Sequence, residues 1–373
     1  MVAPTYLPVI GGSETTVRKL TIGLNKIGIQ TDIMTFNMDR LWQPRWKAEA
    51  EISEEGYRIF RIPGLNWFPV THSDRITMGI NLVPGRFTNL LHEYDIVHFH
   101  GELSFPLFSY FSRKRKIFHL HGLRIEFFKR YFLSKLILRN IAQMYISLTE
   151  RMKNDLFQLG IPQRKIKCLP NSVDTEFFRP SKEREENTIL FVGRLHFIKG
   201  LHVLLESLSY LRRPIELVII GPPAQDPKYQ RHIMNLVSNE NSKHVHKVRY
   251  LGEKNEKDVL EWYQRASIFV LPSIYEAMGI VNLEALACET PVIATKVGGI
   301  PEVVVDKKTG ILVEPNSASA LANAIQYLMD NPEERRKLGK EGRKWVVQNF
   351  SEEKTLQKLQ SIYDELFFGS LSC

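Results

Sequence analysis

Five short apolar runs punctuate the second half of the chain, at residues 188–192, 216–220, 247–251, 267–271 and 291–295. They are continuous rather than alternating, the pattern of strands buried on both faces of a parallel sheet. Amphipathic segments lie between them, such as 201–211 and 258–266, with apolar residues at helical spacing. Parallel neighbours cannot be joined by a tight turn and need a crossover, which these helices supply. Strand and helix in alternation leave one fold class, a doubly wound α/β domain.

The first half repeats the theme less regularly, with runs at 31–36, 57–62, 95–100, 116–121, 144–149 and 166–171. Residues 1–3 read as the end of a strand, and Pro4, Pro8, Gly11 and Gly12 mark a loop after it. A helix is expected next, with Ser13 as N-cap, Glu14 in its first turn, and Val17, Leu20, Leu24 and Ile27 on one face. Strand, glycine loop and helix together can approach a phosphate; alone, they are equally an ordinary tight turn. At 373 residues the chain exceeds one ordinary domain. Residues 180–187 are polar with nothing to bury, so they divide the chain into 1–180 and 187–350. Within the second domain, Asn331 is expected to cap a helix opening at Pro332. A last helix, 351–368, is capped by Ser351, and its Leu356, Leu359, Tyr363, Leu366 and Phe367 form a face that must pack on something.

A net charge of +9 points to an anionic partner. Zinc-finger spacing, an RNA-recognition signature and a basic zipper are all missing, so nucleic acid is not expected. Cys168, Cys288 and Cys373 are too scattered for a disulfide framework or zinc site, which favours a reducing compartment. No apolar run approaches the roughly 18 residues of a membrane span, and no signal-peptide pattern opens the chain. The expectation is a cytoplasmic protein. Residues 113–139 set Arg113, Lys114, Arg115, Lys116, Arg124, Lys129, Arg130, Lys135 and Arg139 against one acid, Glu126, with aromatic residues interleaved. That composition suits peripheral contact with an anionic membrane surface, or an ordinary surface helix with its apolar side in the core.

Chemistry concentrates in residues 273–290. Glu276 should sit in the turn after a strand and Glu284 about one turn into the next helix. The helix N-terminus between them would expose unpaired N–H groups, which attract phosphate. A carboxylate can accept two hydrogen bonds from a vicinal diol. A diphosphate flanked by sugars would fit; two solvated glutamates near a loop would look the same. The first strand of this half leads into Gly193-Arg194-Leu195-His196-Phe197-Ile198-Lys199-Gly200, a loop with two cations suited to a diphosphate. In the first half, two strands end alike, in His98-Phe99-His100-Gly101 and His119-Leu120-His121-Gly122. No carboxylate or cysteine at ligand spacing accompanies them, so no metal is assigned. His98 and His119 are expected in the core with backbone partners, and His121 against a ligand.

Taken together, PVIGGSE, DIVHFHG, HLHG, LPNSVD, FVGRLHFIKG, VLPSIYEAMGIVNLEALAC and TPVIATKVGGIPEVV make the chain resemble the family-4 retaining glycosyltransferases. The resemblance runs nearly end to end. It implies the GT-B fold, two Rossmann-like doubly wound domains facing a central cleft, and sugar transfer from a nucleotide-diphospho-sugar to an acceptor hydroxyl with retained configuration. It implies that Arg194 and Lys199 bind and stabilise the diphosphate, Glu284 the ribose, and Glu276 the donor sugar. The backbone of Ala277, Met278, Gly279, Ile280 and Val281 would touch sugar and phosphate. Gly193 opens the cationic loop, Gly12 would close over the diphosphate, His121 would reach the sugar, and the segment around Gly252 would meet the base. The chain has no Asp-x-Asp, so no metal clamp or other cofactor is required. Two departures stand out: the first strand is shorter than usual, and Asn-Ser-Val-Asp replaces the common Asn-Gly-Val-Asp. A nucleotide-sugar 2-epimerase of the same fold and a non-catalytic nucleotide-sugar-binding protein are the rival readings.

Overall fold

The structure, a computed structural model, describes residues 1–3, 6–7, 12–36, 38–40, 43–44, 49–62, 64–66, 79–81, 90–101, 114–122, 125–130, 132–181 and 184–369. The chain forms two compact units. One is Met1–Asn171 with Glu353–Cys373, and the other is Ser172–Glu352.

In the first unit the parallel strands Ile33–Phe36 and Arg58–Ile62 lie on one side of Val2, and Ile96–His100, Arg115–Leu120, Met144–Ser147 and Ile166–Cys168 on the other. Val2 is stitched in on both edges. Its N–H donates to His98 O at 2.8 Å, its carbonyl accepts from His100 N at 2.8 Å, and Met1 and Ala3 bond across to Met34. Glu49–Ile52 adds an antiparallel edge strand absent from the sequence expectations. Its exposed Glu51 and Ile52 carry no burial pattern to mark it. The first helix, Gly12–Lys26, presents Leu20 and Leu24 to a core shared with Ile117, Met144 and Ile146. The last helix, Glu352–Phe368, closes that core with Leu359, Ile362, Tyr363 and Leu366. Its Leu356 fills the space left by Gly23, where an added Cβ would lie 2.5 Å from the leucine. The apolar face of the last helix thus packs on the first unit's own helix and sheet.

The second unit holds one parallel sheet in the spatial order Lys247–Tyr250, Glu216–Ile220, Thr188–Val192, Ile268–Leu271, Val292–Thr295, Gly310–Val313. Its central strands are buried along their length, save Glu216 at the start of Glu216–Ile220, as their continuous apolar runs require. The chain winds from Thr188–Val192 to one edge, then starts again at Ile268–Leu271 and winds to the other. The two central strands therefore flank the point where strand order reverses, where ligands bind in open α/β sheets.

Two local expectations need correction. The helix at Gly12 already includes Ser13, whose Oγ donates to Glu14 at 2.9 Å instead of capping. Asn331 does precede the Pro332–Asn349 helix, but its side chain turns back and donates to Tyr327 O at 2.8 Å. Ser172, where glycine is common, keeps a negative φ, so serine is accommodated there.

The division into units falls at Asn171–Ser172, ahead of the polar stretch 180–187. That stretch does have something to bury. Arg184 donates to Ala266 O at 2.9 Å, Thr290 Oγ1 at 3.0 Å and Cys288 O at 2.5 Å, and Glu185 pairs with Arg265. The guanidinium satisfies carbonyls at the ends of two elements, a role that no hydrophobic pattern reveals. Arg184→Ala is expected to destabilise the second unit by about 3 kcal/mol, since it leaves several acceptors unpaired at once. Urea unfolding followed by tryptophan fluorescence measures it; a change below about 0.5 kcal/mol would show that water replaces the side chain freely.

Candidate functional site

The loops after the two central strands of the second unit are sewn together. Ile198 O accepts from Ile274 N at 2.7 Å. Gly200, at φ +70°, sits so close to the neighbouring loop that a Cβ would lie 1.9 Å from Pro272 O. Only glycine combines that backbone conformation with that approach. The stitching sets Lys199 against Glu276, Nζ to Oε2 at 2.5 Å. Both side chains keep some exposure, 24% and 13%, so the pair faces outward rather than serving the core. Lys199 retains two further N–H donors.

Arg194 occupies the same loop, just after Gly193, whose N–H donates to Ile220 O at 2.9 Å. Its half-buried guanidinium makes no hydrogen bond or ion pair among the described residues. A cation held half-buried without a protein partner is well placed for an anion from outside.

Glu276 is also supported from behind. Gly298, at φ +53°, lies so near that a Cβ would fall 1.6 Å from Glu276 O. The helix Ile280–Ala287 begins immediately after Gly279, whose φ is +85°. Glu276 therefore precedes the helix and Glu284 stands within it, as their spacing predicts. Glu284 accepts a hydrogen bond at 2.9 Å from Tyr263, a fully buried phenol. Burial first, and then the adjacent carboxylate, hold that phenol well above its usual range, so it remains a donor. Ala277, Ile280 and Val281 are half-buried, whereas Met278 is 2% exposed. Gly252, at φ +70°, follows the Lys247–Tyr250 strand and accepts from Gly221 N at 2.9 Å, with open space at its Cα.

Three supporting residues escaped the sequence reading: Gly298, Tyr263 and Asn282. Asn282 is completely buried beside Gly279, and its amide oxygen and nitrogen have no partner among the described residues. A polar residue on the buried side of Ile280–Ala287, a helix whose other polar residue is Glu284, was the available signal. Gly298 and Tyr263 had none, since both act through contacts distant in sequence.

In the first unit, Gly12 starts its helix exposed, and its carbonyl accepts from Thr16 Oγ1 at 2.8 Å. Gly11 and the prolines before it lie outside the described residues. His121 follows the Arg115–Leu120 strand, and its Nε2 shares a 3.0 Å hydrogen bond with His100 Nδ1. Burial depresses His121 to about 4 and holds His98, His100 and His119 well below the ordinary histidine range, so all four rings are neutral at pH 7. The expected backbone partners of His98 and His119 are not found. His98 Nδ1 bonds instead to Tyr363 Oη at 2.7 Å, and His119 has no hydrogen-bond partner among the described residues.

The basic stretch is partly spent internally. Lys114 donates to His92 O, Arg139 to Leu159 O, and Arg115 stacks on Phe367. Lys116 is 5% exposed, while Lys129 and Arg130 remain exposed. Arg113, Arg124 and Tyr131 lie outside the described residues. No described helix is long and apolar enough to cross a membrane.

Residues 172–345 match the family described as Glycosyl transferases group 1, and residues 10–177 match Glycosyltransferase Family 4. An uncharacterized glycosyltransferase of Methanocaldococcus jannaschii is 30% identical over 97% of this chain and 96% of its own. An alpha-maltose-1-phosphate synthase of Mycobacterium tuberculosis is 31% identical over 56% of this chain and 60% of its own. Among solved structures, sucrose-phosphate synthase from Thermosynechococcus elongatus superposes with a TM-score of 0.79 at 24% identity, covering 99% of both chains. An Anabaena protein in complex with UDP and glucose gives 0.78 at 16% identity, covering 97% of this chain and 98% of its own. At these identities the likeness speaks to the fold, which is GT-B.

Proposed function

Because the chain belongs to the group 1 glycosyl transferases of glycosyltransferase family 4, we propose that it moves a sugar from a nucleotide-diphospho-sugar to an acceptor hydroxyl. In this reading anomeric configuration is retained and no metal bridges the diphosphate. The observation that carries it is the pairing of Lys199 with Glu276 at the switch point, beside the unpartnered Arg194 and the Ile280–Ala287 helix N-terminus. Support also comes from an Anabaena structure of the same fold, which holds UDP and glucose.

Each group has a chemical task. As the glycosidic bond to the donor breaks, negative charge grows on the departing diphosphate. Lys199, Arg194 and the N–H groups at the head of the helix meet that charge without reorganising. Glu276 accepts hydrogen bonds from hydroxyls of the sugar being moved, and Glu284 from the ribose. Neither acts as a proton donor. Tyr263 fixes the Glu284 carboxylate before ligand arrives. Tyr263→Phe is therefore expected to weaken nucleoside diphosphate binding about tenfold, the worth of one hydrogen bond to a charged group. Titration calorimetry reads it, and unchanged affinity would leave the tyrosine a packing residue only.

The deciding experiment incubates the protein with UDP-, GDP- and ADP-sugars, with and without candidate acceptors, and follows the anomeric carbon by NMR. Acceptor-dependent release of nucleoside diphosphate with an α-linked product from an α-linked donor is expected. An epimer formed from donor alone would replace this reading with an isomerase. Tight donor binding with no turnover against a broad acceptor panel would make the protein a binder. The exposed Lys129 and Arg130 support peripheral contact with anionic lipid. Flotation with phosphatidylserine vesicles should be lost in high salt, and equal binding to neutral vesicles would refute the contact.

A further inference from the structure

The interior of the first unit carries polar atoms that the proposed transfer does not use. His98 and His100 are two apart on the Ile96–His100 strand and so share a face. His119 stands on the adjacent Arg115–Leu120 strand, its backbone opposite His100. The three side chains are 1%, 2% and 1% exposed. Their rings gather with centroids 4.2, 5.4 and 5.0 Å apart. Within this cluster, His98 Nε2 and both ring nitrogens of His119 have no hydrogen-bond partner among the described residues. Each such atom costs about 1–3 kcal/mol when left unsatisfied, and native interiors tolerate few of them. One ion could take His98 Nε2 and one of the two His119 nitrogens, with His100 joining in exchange for one of its present contacts to His121 and Met1.

The geometry suits an ion. One ring nitrogen from each of the three histidines lies within 4.8 Å of the others. Imidazole nitrogens bound at about 2.0–2.1 Å in a tetrahedral site stand about 3.4 Å apart, so the widest pair has only about 1.4 Å to close. His98 already has the outer partner that a ligating histidine needs. Its Nδ1 is fixed by Tyr363 Oη at 2.7 Å, which aims the free Nε2 into the cluster. A thioether adjoins as well, with Met1 Sδ 3.0 Å from His100 Nε2. These donors are all neutral and soft or borderline, and none is a carboxylate. Hard ions such as Mg²⁺ and Ca²⁺ are poorly served by such a set.

We propose that His98, His100 and His119 bind an imidazole-coordinated transition-metal ion inside the first unit. Cu⁺ and Zn²⁺ are the ions that this chemistry selects. The thioether and the lack of a charged donor among the described residues favour singly charged Cu⁺ in this buried interior. The ion ties two neighbouring strands together, and through Tyr363 it ties them to the last helix. It takes no part in the sugar transfer.

The test uses the full chain stripped with a chelator, then loaded in separate arms with Zn²⁺ and, anaerobically under reductant, with Cu⁺. Retained metal is counted by mass spectrometry after gel filtration, and X-ray absorption identifies the ligands. About one ion per chain with imidazole ligation and a raised Tm is expected in at least one arm. Retention with Zn²⁺ alone supports the site and makes zinc its ion. His119→Gln should cut retention at least tenfold, and because His119 makes no hydrogen bond, the variant should stay folded by circular dichroism. Tyr363→Phe should weaken binding by roughly tenfold through loss of the outer partner. If the wild-type chain retains no more metal than His119→Gln in both arms, the proposal fails. It also fails if a crystal structure of loaded protein shows ordered waters on these nitrogens.

Discussion

Lys199→Ala is expected to lower the rate of sugar transfer by about 10²–10³-fold, the usual cost of removing one preorganised group from a developing negative charge. The loss should fall mainly on kcat if, as proposed, Lys199 meets charge that grows as the diphosphate departs. A complication is built into the site. Lys199 is bonded to Glu276 at 2.5 Å, so its removal also strips a partly buried carboxylate of its partner. The double variant Lys199→Ala/Glu276→Gln separates the two effects. If Lys199 only neutralised Glu276, the double variant should be no slower than Glu276→Gln alone. If Lys199 acts on the diphosphate, the double variant should be no faster than Lys199→Ala alone. Arg194→Ala is the cleaner companion, since the guanidinium has no protein partner to orphan among the described residues. It should lower transfer by a similar factor without changing Tm. Wild-type turnover in Arg194→Ala and Lys199→Ala would remove both from the mechanism.

Gly298→Ala should be nearly as damaging, although Gly298 is assigned no contact with substrate. At φ +53° an alanine is already strained, by about 1–2 kcal/mol. Its Cβ would also fall 1.6 Å from the carbonyl oxygen of Glu276, so one of the two loops must move. Overpacking of this kind typically costs a further 1–3 kcal/mol or so. The expected result is a total loss of about 2–5 kcal/mol in stability by urea denaturation, with donor affinity down at least tenfold. Displacement of Glu276 should weaken binding of the intact nucleotide-sugar more than that of the nucleoside diphosphate, since the proposed role of Glu276 is to read the sugar. Equal losses for both ligands would indicate general unfolding of the site. Gly200→Ala, with its Cβ 1.9 Å from Pro272 O, makes a parallel test on the other loop.

The two variants mark different reaches of sequence reasoning. Arg194, Lys199, Glu276 and Glu284 are legible because strand periodicity places them at strand ends and at a helix start. The buried strands of the second unit are equally legible, since burial on both faces writes a continuous apolar run. The antiparallel Glu49–Ile52 strand is not, because its exposed Ala50, Glu51 and Ile52 carry no such pattern. Arg184 misled for the opposite reason: a charged stretch reads as solvated, yet this guanidinium is consumed by carbonyls that only the fold brings to it. The histidine pairs were visible on their strands. Their adjacency, and the lack of partners for His119, depend on which strands become neighbours.

The sequence by itself determined two α/β units, the order of their buried strands along the chain, and which cations and carboxylates stand at strand ends. Those properties are local, set by side-chain periodicity and by spacing within a dozen residues. Tertiary structure alone decided that Lys199 meets Glu276, that Gly298 and Gly200 press against the loops that hold them, and that three histidines share one interior. These depend on close approach between segments distant in the chain. Packing, not periodicity, sets that approach, and no local pattern encodes it.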